Sequence, residues 1–116
     1  MQTCHGSCHC GAVTFTAKVD LARSARCDCS MCRRRGAIMV SCNAADLEML
    51  TGEDQLVEYR FNTNVAIHQF CGRCGIYTFH RMRKAPDTYA VNAGCLEEVD
   101  PFALSPVLIE GAKVYS

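Results

Sequence analysis

Apolar and polar positions alternate strictly along Ala12-Val13-Thr14-Phe15-Thr16-Ala17-Lys18-Val19, which puts Val13, Phe15, Ala17 and Val19 on one face. A period of two is that of a half-buried strand. The same pattern returns from Leu56 to Phe61, with Val57, Tyr59 and Phe61 facing one way. Ala37 to Cys42 is a short apolar run suited to a buried strand. Val65 to Phe70 and Ile76 to His80 flank a Cys71–Cys74 turn and read as a hairpin. Tyr89 to Ala93 and Val107 to Tyr115, the latter interrupted by Gly111, complete the strand candidates. Helical signals are confined to single turns at Asn43 to Asp46 and Pro101 to Leu104. Many short strands at even spacing predict an all-β domain, a sandwich or small open barrel with short helical turns. No linker or repeat divides residues 1–116, so one domain is expected.

Composition narrows the class. Hydrophobic residues make up 49% of the chain and charged residues 21%, as in ordinary globular proteins. Twelve Lys and Arg balance twelve Asp and Glu, which argues against a nucleic-acid or anionic-membrane partner. No run approaches the roughly 20 apolar residues of a membrane span. No basic-then-apolar export signal stands at the N-terminus. The chain is therefore expected to be soluble and cytoplasmic. Its oligomeric state is not legible.

Cysteine usage changes the picture most. There are ten, and seven fall into C-x-C (Cys8, Cys10), C-x-C-x-x-C (Cys27, Cys29, Cys32) and C-x-x-C (Cys71, Cys74). Cysteines one or two residues apart make strained disulfides, and nothing indicates export, so metal binding is the better reading. Two half-sites distant in sequence, Cys8/Cys10 and Cys71/Cys74, make one closed four-thiolate zinc centre flanked by glycines. His5 or His9 could replace one of those sulfurs. The triplet Cys27, Cys29 and Cys32 has no second pair to complete it. Cys4, Cys42 and Cys95 are single, and buried single cysteines usually pack as small apolar residues. A three-thiolate zinc with an open position suits an external thiol better than water, because thiolates blunt its Lewis acidity and favour soft ligands. Arg33-Arg34-Arg35, with Arg26 just before the triplet, could hold carboxylates of such a thiol or simply face solvent.

Three ordered segments resemble the glutathione-dependent formaldehyde-activating enzyme family, which includes the centromere protein V domain. They are Gly6-Ser7-Cys8-His9-Cys10-Gly11-Ala12-Val13, Cys27-Asp28-Cys29-Ser30-Met31-Cys32-Arg33 and His68-Gln69-Phe70-Cys71-Gly72-Arg73-Cys74-Gly75-Ile76. Tyr89-Ala90-Val91-Asn92-Ala93-Gly94-Cys95-Leu96 resembles the family's C-terminal portion, so the likeness runs from about residue 3 to residue 113. The resemblance implies a β-tent carrying two zinc ions, structural on Cys8, Cys10, Cys71 and Cys74 and catalytic on Cys27, Cys29 and Cys32. It also implies a carbon–sulfur lyase activity that joins formaldehyde and glutathione to S-hydroxymethylglutathione. The basic tail that would tie a centromere-type member to chromatin is absent from these 116 residues.

The competing reading is a non-catalytic zinc scaffold or interaction module, its second site closed by Cys42, Cys95 or a histidine. His68 is a candidate acid–base or orienting group near the metal sites, but a single histidine in a strand is more often only hydrogen-bonded. His80 and Arg81 receive the same discount. Tyr59, Phe70 and Phe79 read first as core aromatics, and Asn92 has no assigned role.

Overall fold

The alternating face foreseen at Val13, Phe15, Ala17 and Val19 is buried along its whole length. It belongs to the first of two long strands around which the fold is organised. In the computed structural model, which describes residues 1–61, 63–83 and 85–111, the order is β1 (Gln2–Ser7), β2 (Thr14–Cys27), α1 (Ser30–Arg35), β3 (Met39–Thr51) and β4 (Leu56–Tyr59). Then follow β5 (Ile67–Cys71), β6 (Tyr77–Arg81), β7 (Thr88–Asn92) and β8 (Val107–Ile109). Three single 3-10 turns, at Glu53–Gln55, Ala93–Cys95 and Pro101–Ala103, complete the helical content. The all-β expectation holds. No helix among the described residues is long and apolar enough to cross a membrane.

All eight strands form one sheet in the order β1-β2-β3-β7-β6-β5-β4, and β8 lies parallel to the far end of β2. Every other pairing is antiparallel. Neighbouring strands lie about 4.8 Å apart, so a flat sheet would hold β2 and β6 about 14 Å from each other. Instead Phe15 of β2 and Phe79 of β6 meet edge to face with ring centroids 5.3 Å apart. The sheet curls over on itself, and the core of Cys4, Val13, Phe15, Val19, Val40, Phe79, Val91 and Leu96 fills the fold.

The bend is built into the two long strands as bulges, which accentuate twist and re-aim the chain. Between Ala17↔Leu47 and Val19↔Cys42, β3 carries extra residues; between Asp20↔Ser41 and Ser24↔Val40, the excess lies on β2. The first of these bulges explains a misread segment. Asn43 to Asp46 is no helical turn but the bulged part of β3, where Asn43 pairs with Thr88 and the Ala44 N–H donates to the Asp87 carbonyl at 2.8 Å. The backbone groups are satisfied across the sheet, so local helix formation has nothing to add.

Three further differences follow from pairing and capping. β1, mostly polar, is a strand because β2 supplies its partners, and Gly6 sits opposite Phe15, where a Cβ would meet the ring at 2.2 Å. α1 is too short for a periodicity to reveal. It is capped by the Cys29 sulfur, which accepts from the Cys32 N–H, and is stopped by Gly36 at φ 70, a left-handed C-cap. Of the predicted strand Val107 to Tyr115, only Val107–Ile109 is observed, and residues 112–116 lie outside the described residues.

An exposed pair ties the chain's beginning to its last quarter. His5 Nδ1 lies 2.6 Å from Glu98 Oε2, and the His5 N–H donates to Oε1 of the same carboxylate. The hydrogen bond and charge of Glu98 raise His5 above its ordinary 6.5, and His5 lowers Glu98 below its ordinary 4.5. The raised histidine stabilises the fold at low pH and loses its contribution as pH rises past its folded value. The lowered carboxylate contributes above 4.5 and loses it as pH falls. The clip is therefore strongest between the two. An NMR titration should find the His5 midpoint above 6.5. In Glu98→Gln it should return to the ordinary value, and an unmoved midpoint would show that the contact does not persist in solution.

Candidate metal centres and their cavity

Curling of the sheet brings the β1–β2 turn against the β5–β6 turn. The two knuckles are closed alike: the Cys8 N–H donates to the Val13 carbonyl at 3.0 Å and the Cys71 N–H to the Ile76 carbonyl at 2.9 Å. After each second cysteine the chain turns through a glycine in the left-handed region, Gly11 at φ 81 and Gly75 at φ 78, a conformation that favours glycine. The Sγ atoms of Cys8, Cys10, Cys71 and Cys74 all lie within 4.8 Å of one another. Cys8–Cys10 and Cys10–Cys71 are separated by 3.6 and 3.8 Å. Zinc–sulfur bonds of about 2.3 Å give a tetrahedron with edges of about 3.8 Å, so the cluster has the dimensions of a closed zinc site.

Its charge makes the same demand. Backbone N–H groups of Cys10 and Ile76 draw the Cys74 thiol down to about 6. Cys10, despite a hydrogen bond from the Ala12 N–H, is pushed up to about 11 by desolvation and its sulfur neighbours. Four thiolates at this spacing oppose one another's ionisation until a cation joins them. Neither His5, which is engaged with Glu98, nor His9 belongs to the cluster.

The second cluster forms where β2 ends and α1 begins. Cys27 closes the strand, Cys29 caps the helix, and Cys32 lies in the helix's first turn; their sulfurs are within 4.8 Å of one another. Among the described residues no fourth Cys, His, Asp or Glu completes the group. Burial opposes ionisation of Cys29, but the Cys32 N–H and the neighbouring thiols more than reverse this and lower it. Burial pushes Cys32 up, and the Arg35 charge offsets that only in part. One sulfur is thus prepared to carry charge and the other two resist it, again the pattern of a set that awaits a cation.

All three cysteines line a cavity of about 800 Å³. Arg23, Arg35, His68, His80 and Arg83 also line it, among mostly apolar neighbours that include Phe61 and Ile109. The structure therefore separates the arginines of the basic run. Arg35 reaches the cavity, whereas Arg33 and Arg34 are exposed on the outer side of α1, with Arg34 Nη1 turned back to the Ser30 carbonyl at 2.7 Å. Cys42 lines the cavity without joining the triplet, and burial pushes its thiol up to about 11. Cys95 lies nearer the four-sulfur cluster; burial first, then the charges of Cys8 and Cys74, push it up to about 12.

Along the cavity wall runs a hydrogen-bonded chain that the sequence reading missed. Arg35 Nη1 donates to the Tyr77 hydroxyl at 2.9 Å and to His80 Nδ1 at 3.2 Å. The Tyr77 hydroxyl is 2.6 Å from His68 Nδ1. The Arg35 guanidinium carbon also lies 4.6 Å from the centre of the Tyr77 ring. Because arginine only donates, His80 Nδ1 is an acceptor and its proton sits on Nε2. Burial first, then the Arg35 charge, lowers His68 to about 4 and takes His80 well below the usual histidine range. Burial pushes Tyr77 up, so it stays a phenol. Asn92 acquires a role here: its Nδ2 donates to the Tyr77 carbonyl at 2.9 Å and its Oδ1 caps the following turn.

These features define a class: a curled β-sheet protein with one closed four-thiolate site and one three-thiolate site facing a cavity. The sequence matches the family model for the glutathione-dependent formaldehyde-activating enzyme over residues 3–110, and the chain belongs to that family. A crystal structure of a Rhodobacter sphaeroides protein, a structural genomics target, superposes with a TM-score of 0.88. It is 44% identical to this chain, covering 90% of this chain and 99% of that one.

Proposed function

We propose that this chain is a zinc enzyme of the carbon–sulfur lyase type that joins glutathione to formaldehyde, or to a related small aldehyde, and releases it in reverse. The observation that carries the reading is the Cys27, Cys29 and Cys32 cluster. It has three sulfurs, no fourth described ligand, and a cavity on its open side. Zinc held there would supply a soft Lewis-acid position at which a further thiol binds as thiolate, overcoming an ordinary thiol pKa of about 8.5. Family membership supports glutathione as that thiol and formaldehyde as its partner. Cys8, Cys10, Cys71 and Cys74 would hold the structural ion.

The chain's own groups divide the remaining work. Cys29 orients the triplet by capping α1, and Arg35 offsets its negative charge. The tripeptide's carboxylates meet Arg23 and Arg83, which line the cavity, in place of the outward Arg33 and Arg34. Phe61 and Ile109 limit water at the reacting carbon.

Elemental analysis should find two zinc ions per chain, and calorimetry should detect glutathione at millimolar concentration. A zinc-loaded chain that ignores millimolar thiol would favour the scaffold reading. Substitution separates the arginines. Arg23→Ala and Arg83→Ala should each raise the KM for glutathione about tenfold, the scale of one charge-assisted contact. Arg33→Ala should leave KM unchanged, and the reverse pattern would return carboxylate binding to the basic run.

A further inference from the structure

The addition of a thiolate to an aldehyde leaves negative charge on oxygen, and a proton must reach it. Two of the groups lining the cavity, His68 and His80, are hydrogen-bonded at Nδ1. His68 is the better supported. Its ring stacks on Phe61 at 5.6 Å and lies 5.0 Å from His80, so it is held between two walls. Its Nδ1 is taken by the Tyr77 hydroxyl at 2.6 Å. The Tyr77 oxygen in turn accepts from Arg35, which has no lone pair to return. With the phenol's single hydrogen on the His68 side, Nδ1 is the acceptor and the His68 proton sits on Nε2.

We propose that His68 is the proton-transfer residue of this cavity and that Tyr77, fixed by Arg35, is its positioning residue and proton reserve. This rests on the thiol–aldehyde reading above. In the forward direction the thiolate sulfur forms a bond to the aldehyde carbon, and the carbonyl π pair moves to oxygen. That oxygen takes the proton from His68 Nε2, and His68 Nδ1 takes the Tyr77 proton. As Tyr77 gives up that proton it receives another, so it stays a phenol 2.9 Å from the Arg35 guanidinium. The proton that glutathione shed on ionising returns to Tyr77 through solvent, so thiol plus aldehyde gives the hydroxyalkyl thioether with nothing left over. The arrangement keeps histidine neutral throughout, which suits a ring beside a fixed cation.

The test uses zinc-loaded protein, formaldehyde and glutathione, with adduct exchange followed by NMR. His68→Gln should lower kcat by about 10²–10⁴-fold, the usual share of positioned proton transfer, with the KM for glutathione unchanged. Tyr77→Phe keeps the ring and should lower kcat about tenfold, the worth of one orienting hydrogen bond. Nitrogen-15 shifts supply a readout independent of activity: His68 should carry its proton on Nε2, and Tyr77→Phe should admit the other tautomer. A wild-type His68 protonated on Nδ1, or a His68→Gln variant with undiminished kcat, overturns the relay while leaving the thiol reading intact. A wild-type chain that binds glutathione but exchanges no adduct removes the reaction and the relay together.

Discussion

Cys29→Ser should retain the fold and lose both glutathione binding and the second metal ion, with zinc content falling from two to one per chain. The retention has a specific reason. The Cys29 sulfur caps α1 by accepting the Cys32 N–H, and serine is among the best residues for that position. The substitution thus preserves the cap and removes the thiolate. Loss of an outer-shell contact alone costs about 10–100-fold in metal affinity, and a lost ligand costs more. Turnover should fall by at least about 100-fold. Circular dichroism and the melting temperature should stay near wild type. Global unfolding of Cys29→Ser would mean that the triplet is a structural site, as the scaffold reading requires.

Cys71→Ser should do the opposite. Cys71 is fully buried at the end of β5, and its sulfur lies 3.8 Å from that of Cys10, so it links the two turns that the curled sheet brings together. Structural zinc contributes about 10–16 kcal/mol of apparent binding energy in small domains, against a total stability of about 5–15 kcal/mol for an ordinary one. Losing the ion therefore removes as much as the fold has. Thermal or denaturant unfolding of the purified variant should show no cooperative transition, and chelation of wild type should approach the same state. A cooperative transition near the wild-type midpoint would show that the β1–β2 and β5–β6 turns hold together without metal.

The contrast between the two clusters was legible in the sequence, because C-x-C and C-x-x-C spacing is local chemistry and 4 + 3 sorting needs no coordinates. The strand around Phe15 was legible from its own alternation, and those around His68 and Val91 from short runs of apolar and β-branched residues. What the pattern did not reveal depends on distant pairing. β1 is a strand because Val19 to Thr14 lie opposite it, and Asn43 to Asp46 bulges because β3 follows β2 on one side and β7 on the other. α1 escaped because its cap is a cysteine, outside the usual capping residues, although Gly36 was a readable stop.

The site was half legible. The three arginines form one run in sequence, but the turn of α1 sends Arg35 inward and leaves Arg33 and Arg34 outside. Arg23 and Arg83, far apart in the chain, reach the cavity through the β2 bulge and the segment after β6. The His68↔His80 register follows from the β5–β6 hairpin, so their proximity was open to inference. The Tyr77 link between Arg35 and His68 joins α1 to that hairpin and has no local signature.

The central claim is that the Cys27, Cys29 and Cys32 centre receives glutathione sulfur as its fourth ligand. A crystal structure of zinc-loaded protein with glutathione tests it most directly. The expected result is a glutathione sulfur about 2.3 Å from the ion held by those three cysteines, with the peptide extending along the Arg23 and Arg83 side of the cavity. A second ion closed by a protein side chain, with glutathione absent or bound elsewhere, would contradict it.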